Sequence, residues 1–101
     1  MVTLRIHHPV PDFTRWKRAF DADPVDRRAL GVIRYSIRRS VNNPKLVMID
    51  LELGTTREAE VLLTKMRRLW EGSGSSVMSS PEFWIIETVE TVELVEPATA
   101  E

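Results

Sequence analysis

Apolar and polar positions at the start of the chain alternate with a period of two: Val2, Leu4, Ile6 and His8 against Thr3, Arg5 and His7. That is strand spacing. Pro9 and Pro11 end the run because proline has no N–H to give to a ladder. Asp12 is placed to accept from the free N–H groups of a helix start, and Phe13, Trp16 and Phe20 recur at helical spacing up to Asp21. A strand therefore passes directly into an amphipathic helix, with His8 at the hinge.

The period then changes again along the chain. Ala22-Asp23-Pro24 breaks the helix, Val25 to Leu30 reads as one more helical turn, and Gly31 is a helix stop. From Val32 to Ser40, Ile33, Tyr35 and Ile37 alternate with Arg34, Ser36 and Arg38, which is strand spacing once more. Asn42-Asn43-Pro44 supplies turn chemistry, and Lys45 to Leu53 sets Val47, Ile49, Leu51 and Leu53 against Leu46, Met48, Asp50 and Glu52. These two runs pair as an antiparallel hairpin. Gly54-Thr55-Thr56 opens a second helix with Thr55 or Thr56 as cap and Glu58 and Glu60 near the positive end of the dipole. Its apolar stripe is Ala59, Leu62, Leu63, Met66, Leu69 and Trp70. Gly72 to Ser76 is a connector, and a last strand runs from about Glu82 to Val89.

The order β, α, β, β, α, β predicts an α+β, ferredoxin-like fold: a four-stranded antiparallel sheet with two helices on one face. One domain is expected over residues 1–96, with 97–101 as a flexible tail. The other sheet face needs a cover, since Leu46, Met48 and either Phe83 or Trp84 would lie exposed there beside arginines. A second copy of the chain is the expected cover, giving a homodimer through the sheet face. Thr91 to Glu96 keeps alternating and is expected to cross to the partner as an exchanged edge strand.

Composition narrows the function. The chain has 101 residues with 43% hydrophobic and 29% charged, which suits one globular domain. It has no cysteine and no Cys/His spacing for structural zinc, so association is the stabiliser left to so small a core. A formal charge of −1 gives no field for nucleic acid or an anionic membrane. No apolar run approaches the roughly 18–20 residues that span a bilayer, and no secretory leader pattern opens the sequence. The expectation is a cytoplasmic protein with neither nucleic-acid nor membrane partners.

Among candidate site residues, His8 points with Leu4 and Ile6 and so faces the helices, near Asp12 and Trp16. An imidazole there can act as a base near neutral pH, with Asp12 orienting it; the competing reading has His8 and Asp12 simply fixing the strand-helix turn. His7 faces the other way, among Arg5, Arg34, Arg38, Asp50 and Glu52. Buried charges must pair, so this face reads as an inter-subunit salt-bridge lattice, or else as an anion site built on Arg34 and Arg38. Trp16, Tyr35 and Trp70 are either core or flat walls for an aromatic ligand. The Gly72–Ser76 loop is no phosphate loop, since it lacks the Gly-Lys-Ser/Thr ending and follows a helix. Neither a nucleophile elbow nor a metal-ligand set is evident.

With this order in hand, His8, Val10, Asp12, Phe13, Trp16, Phe20, Asp21, Arg27, Gly31 and the Pro81-Glu82 step resemble the dimeric α/β-barrel superfamily. The likeness is to its small bacterial members akin to antibiotic-biosynthesis monooxygenases, and it spans residues 2 to about 89. The resemblance implies a pocket between sheet and helices in each protomer for a flat, apolar or aromatic substrate. It also implies oxygen chemistry without metal, flavin or other cofactor, in which the substrate itself supplies electrons and the protein desolvates, orients and deprotonates it. A haem-degrading branch carries an asparagine on the first strand and a tryptophan and histidine on the second helix. Trp70 stands where that tryptophan would, but the first-strand position holds His7 or His8, and no histidine follows His8. On this reading His8 and Asp12 are catalytic and Trp16, Tyr35 and Trp70 hold the ring. The competing classes are a non-catalytic small-molecule binder using the same pocket and a structural protein whose pocket is filled by its own side chains.

Overall fold

In the computed structural model, which describes residues 1–95, strand β1 (Val2–Pro9) lies inside a four-stranded sheet. Strands β2 (Arg34–Arg39), β3 (Leu46–Leu53) and β4 (Glu82–Glu87) complete it in the order β2-β3-β1-β4. All pairings are antiparallel, with Leu4 opposite Leu51 and Ile85, and Ile6 opposite Ile49 and Phe83. Helices α1 (Phe13–Asp21) and α2 (Thr56–Glu71) follow β1 and β3, giving the βαββαβ order of the ferredoxin-like fold. No helix among the described residues is long and apolar enough to cross a membrane.

Local chemistry sets each helix start. The Asp12 carboxylate accepts from the Arg15 N–H at 3.2 Å, and the Thr55 hydroxyl accepts from the Glu58 N–H at 3.1 Å while donating to the Glu58 carboxylate at 3.0 Å. Both helices then lay an apolar stripe on one sheet face. Leu4, Ile6, Val47, Leu51 and Leu53 of the sheet meet Trp16 and Phe20 of α1 and Ala59, Leu62 and Met66 of α2 in one buried cluster. Burying side chains of this size contributes about 1.5–3 kcal/mol each, which explains why the alternation along β1 and β3 dictates their orientation.

Several boundaries differ from the sequence reading. Residues Val25 to Leu30 form successive turns and no helix, because Asp23 and Asp26 adopt left-handed backbone (φ 53° and 55°) and cut the helical run. β2 starts at Arg34 and β4 ends at Glu87, two residues short of the alternating pattern at each place. Residues 91–95 form no strand within the chain, and Leu94 is 90% exposed; Glu96 and the 97–101 tail lie outside the described residues.

On the opposite face the charges pair inside the chain, and no second copy is needed to neutralise them. Arg5 makes a two-pronged bridge to Asp50 at 2.8 and 2.9 Å, Arg34 does the same to Glu52 at 2.5 and 3.0 Å, and Arg38 reaches Asp50 at 3.3 Å. The expected lattice thus closes between neighbouring strands, where like register places opposite charges side by side. The Arg34 and Arg38 guanidiniums are already engaged by these carboxylates. Trp84, edge-on to His7 at 5.0 Å, is the aromatic residue on this face, while Phe83 turns inward.

Gly31 joins the turn segment to the rest. Its φ of +97° is left-handed, and a Cβ there would collide with the Glu58 carboxylate that braces the start of α2. Gly31→Ala is expected to lose about 1–3 kcal/mol in urea unfolding. Adding Glu58→Ala should recover the part owed to collision and leave the part owed to backbone conformation.

Candidate functional site

The two helices do not cover the inner sheet face completely. Between them lies a cavity of about 310 Å³, at the lower end of the range used for small-molecule sites. Its floor is His8 of β1 and Ile49 of β3; its walls are Trp16 and Phe20 of α1, Met66, Leu69 and Trp70 of α2, and Val77 and Met78 after the connector. Apolar side chains dominate, with His8 and Arg27 as the ionisable ones.

His8 is 2% exposed, and its ring lies 5.4 Å from that of Trp16. Its Nδ1 is 3.4 Å from the Pro9 carbonyl. A carbonyl only accepts, so this contact favours the tautomer with the proton on Nδ1 and leaves the Nε2 lone pair without a partner among the described residues. Burial is the main influence on its pKa, which falls from 6.5 to about 4; the Pro9 carbonyl pulls the other way and the charge of His7 adds a smaller depression. His8 is accordingly neutral at physiological pH.

The other candidate residues separate. Trp16 and Trp70 both line the cavity, Trp16 packed between Phe13 and Phe20 and Trp70 stacked on Phe83 at 6.0 Å. Asp12 is not bonded to His8. Its carboxylate is taken by the Arg15 N–H, and two prolines in the 9–11 segment hold it at the exposed start of α1. Tyr35 is on the helix-facing side, as its period requires, yet it lies on edge strand β2, 42% exposed, behind Phe20 and outside the cavity wall. The Gly72–Ser76 connector tightens into a 3₁₀ turn at Ser73–Ser76, and Gly74 and Ser76 border the cavity. An open cavity is not what the filled-core alternative requires.

Arg27 was missed as a wall residue. It follows a proline-containing break and sits on no periodic face, so spacing gives it no direction. Its place comes from the left-handed turns at Asp23 and Asp26, which fold it back onto α1, where it donates to the Phe20 carbonyl at 2.8 Å.

No family model matches the sequence, and no curated protein matches it. Solved structures do match in fold. SnoaB, a cofactor-independent oxygenase from Streptomyces nogalater, superposes with a TM-score of 0.72 at 12% identity, over 90% of this chain and 95% of that one. MhuD with two manganese protoporphyrin IX molecules bound per active site gives 0.67 at 11%, over 92% and 99%. PA3566 from Pseudomonas aeruginosa gives 0.66 at 11%, over 88% and 94%. The chain shares the ferredoxin-like fold of these structures.

The depressed His8 pKa makes stability pH-dependent in a defined window. The unfolded chain binds a proton below pH 6.5 and the folded chain only near 4, so protonation favours unfolding between those values. Urea-unfolding stability should fall by about 3 kcal/mol as pH drops through this range. His8→Phe should flatten that slope. Asp50 and Glu52, held below the usual carboxylate range first by hydrogen bonds from Arg5 and Arg34, lose their contribution at lower pH, below their ordinary values of 3.8 and 4.5.

Proposed function

We propose that the chain is a cofactor-independent monooxygenase-like enzyme acting on a small, mostly apolar or aromatic substrate held between sheet and helices. The observation that carries this reading is a neutral, buried histidine with a free ring nitrogen in the floor of an apolar cavity flanked by two tryptophans. The fold shared with an oxygenase such as SnoaB supports it.

The chemistry follows from the environment. A flat substrate lies between the indoles of Trp16 and Trp70 with an acidic C–H or O–H toward His8 Nε2. Loss of the proton to His8 leaves a delocalised carbanion or phenolate beside a new imidazolium. An isolated imidazolium is disfavoured in this site, but one adjacent to an anion is stabilised by it, so transfer is coupled to the substrate's own charge. The electron-rich anion then reduces molecular oxygen and forms a C–O bond. The peroxide so formed takes the proton back from the imidazolium, and loss of the second hydrogen from that carbon with cleavage of the O–O bond leaves one oxygen as a carbonyl and releases the other as water. Asp12 has no part in this scheme beyond starting α1, and Tyr35 supports Phe20 from behind.

Oxygen uptake with an anthrone as substrate tests the reading. The wild-type chain is expected to consume one O₂ per quinone formed, and His8→Gln to lower kcat by roughly 10²–10⁴-fold with folding intact. The acid limb of kcat/KM should lie near the depressed His8 value of about 4 and not at 6.5. Binding of the anthrone with no turnover above background would favour the small-molecule-binder alternative.

We further propose that the chain is a homodimer through the outer sheet face, where exposed Trp84 and the partly buried Met48 and Ile86 interrupt the paired charges. Light scattering should give twice the chain mass. Trp84→Glu should give a monomer, because it buries an unpaired charge at that contact.

A further inference from the structure

Arg27 is the one charged side chain in the cavity wall, and it is 9% exposed. Its guanidinium is fixed on several sides. Nη1 donates to the Phe20 carbonyl at 2.8 Å and lies 3.3 Å from Asp23 Oδ1, while the guanidinium carbon sits 3.8 Å from the Phe20 ring centre and 4.9 Å from that of Tyr35. These contacts use one nitrogen. Nε and Nη2 have no hydrogen bond to any described residue, and among the described residues no fully buried side-chain nitrogen or oxygen lacks a partner. The two donors are therefore not sealed, and Arg27 borders both this cavity and a depression beyond it lined by Asp23, Arg28 and Tyr35. A planar pair of N–H groups held in a fixed orientation is the geometry that receives both oxygens of a carboxylate.

A second feature points the same way. An adjoining surface depression shares Pro24, Val25 and Leu69 with the cavity and carries Lys65 and Arg68, neither paired with a carboxylate of the described residues. Positive charge at a mouth raises the local concentration of anions. An uncharged substrate would use neither the rim nor the open donors of Arg27.

We infer that Arg27 is the anion-recognition residue of this cavity, and that the substrate class is a flat apolar molecule bearing one carboxylate. The rings lie against Trp16 and Trp70, and the carboxylate takes Arg27 Nε and Nη2. This inference rests on the pocket reading above and narrows its substrate to aromatic acids.

Tryptophan fluorescence titration of the full chain with anthraquinone-2-carboxylate and with its methyl ester is the test. The acid is expected to bind about tenfold or more tightly than the ester. Arg27→Met, which keeps an apolar stem, should abolish that preference by weakening the acid more than the ester; Arg27→Lys should restore part of it as a charge without the planar fork. Lys65→Gln with Arg68→Gln should slow association and keep the preference. Equal binding of acid and ester, or a preference that survives Arg27→Met or vanishes in the rim variant, overturns the assignment while the pocket stands. Binding of neither compound overturns the pocket reading and the assignment together. If Arg27→Met does not fold, the wild type in ~0.5 M salt decides: a preference retained supports the buried arginine, and one lost assigns it to the screened rim.

Discussion

The structure depends on the burial of β1 between β3 and β4. Leu4 and Ile6 are fully buried, and each has an apolar neighbour on both sides in the sheet. With side chains alternating across the sheet, fixing these two residues inward fixes every other position on the strand. His8 must then face the helices and His7 must not. The desolvation that weakens the basicity of His8 is a consequence of the same register. A shift of one residue would carry Leu4 and Ile6 into solvent, so the packing that stabilises the chain also holds the histidine in place.

The sequence made legible whatever is set by period and by short-range capping. The strand and helix order, the direction of His8, the cap at Asp12 and the inward stripe of α2 all follow from residue spacing. What spacing leaves open is competition. Asp12 has one carboxylate and two claimants, and the helix N–H groups are closer in sequence and already oriented, so the histidine goes without. Tyr35 has the right period on the wrong strand, since an edge strand is not fully covered by two helices. Arg27 lies in a segment with no period at all, where left-handed aspartates decide the path. The sheet's outer face paired its charges internally because the register sets Arg5 opposite Asp50 and Arg34 opposite Glu52.

The two faces of the sheet treat charge in opposite ways. Outside, arginines and carboxylates meet at short range beside solvent, where pairing is cheap and contributes modestly. Inside, an imidazole is kept neutral by burial and a guanidinium is held by a carbonyl, a partly exposed carboxylate and aromatic rings. The inner arrangement retains polar groups in a site that an apolar core would fill more stably. Such retention is the usual mark of chemistry or recognition over packing.

The segment joining α1 to β2 is stitched at both ends. Arg27 ties it to the Phe20 carbonyl, the Val32 N–H returns to the Arg27 carbonyl at 3.0 Å, and Gly31 abuts the brace of α2. Its length is therefore fixed by its anchors, while Pro24 and Val25 project at the cavity between them. A protein built this way would vary the lining of its cavity by exchanging individual side chains along a constant span. Insertions, the usual currency of loop evolution, would tear the stitches before they reshaped the opening.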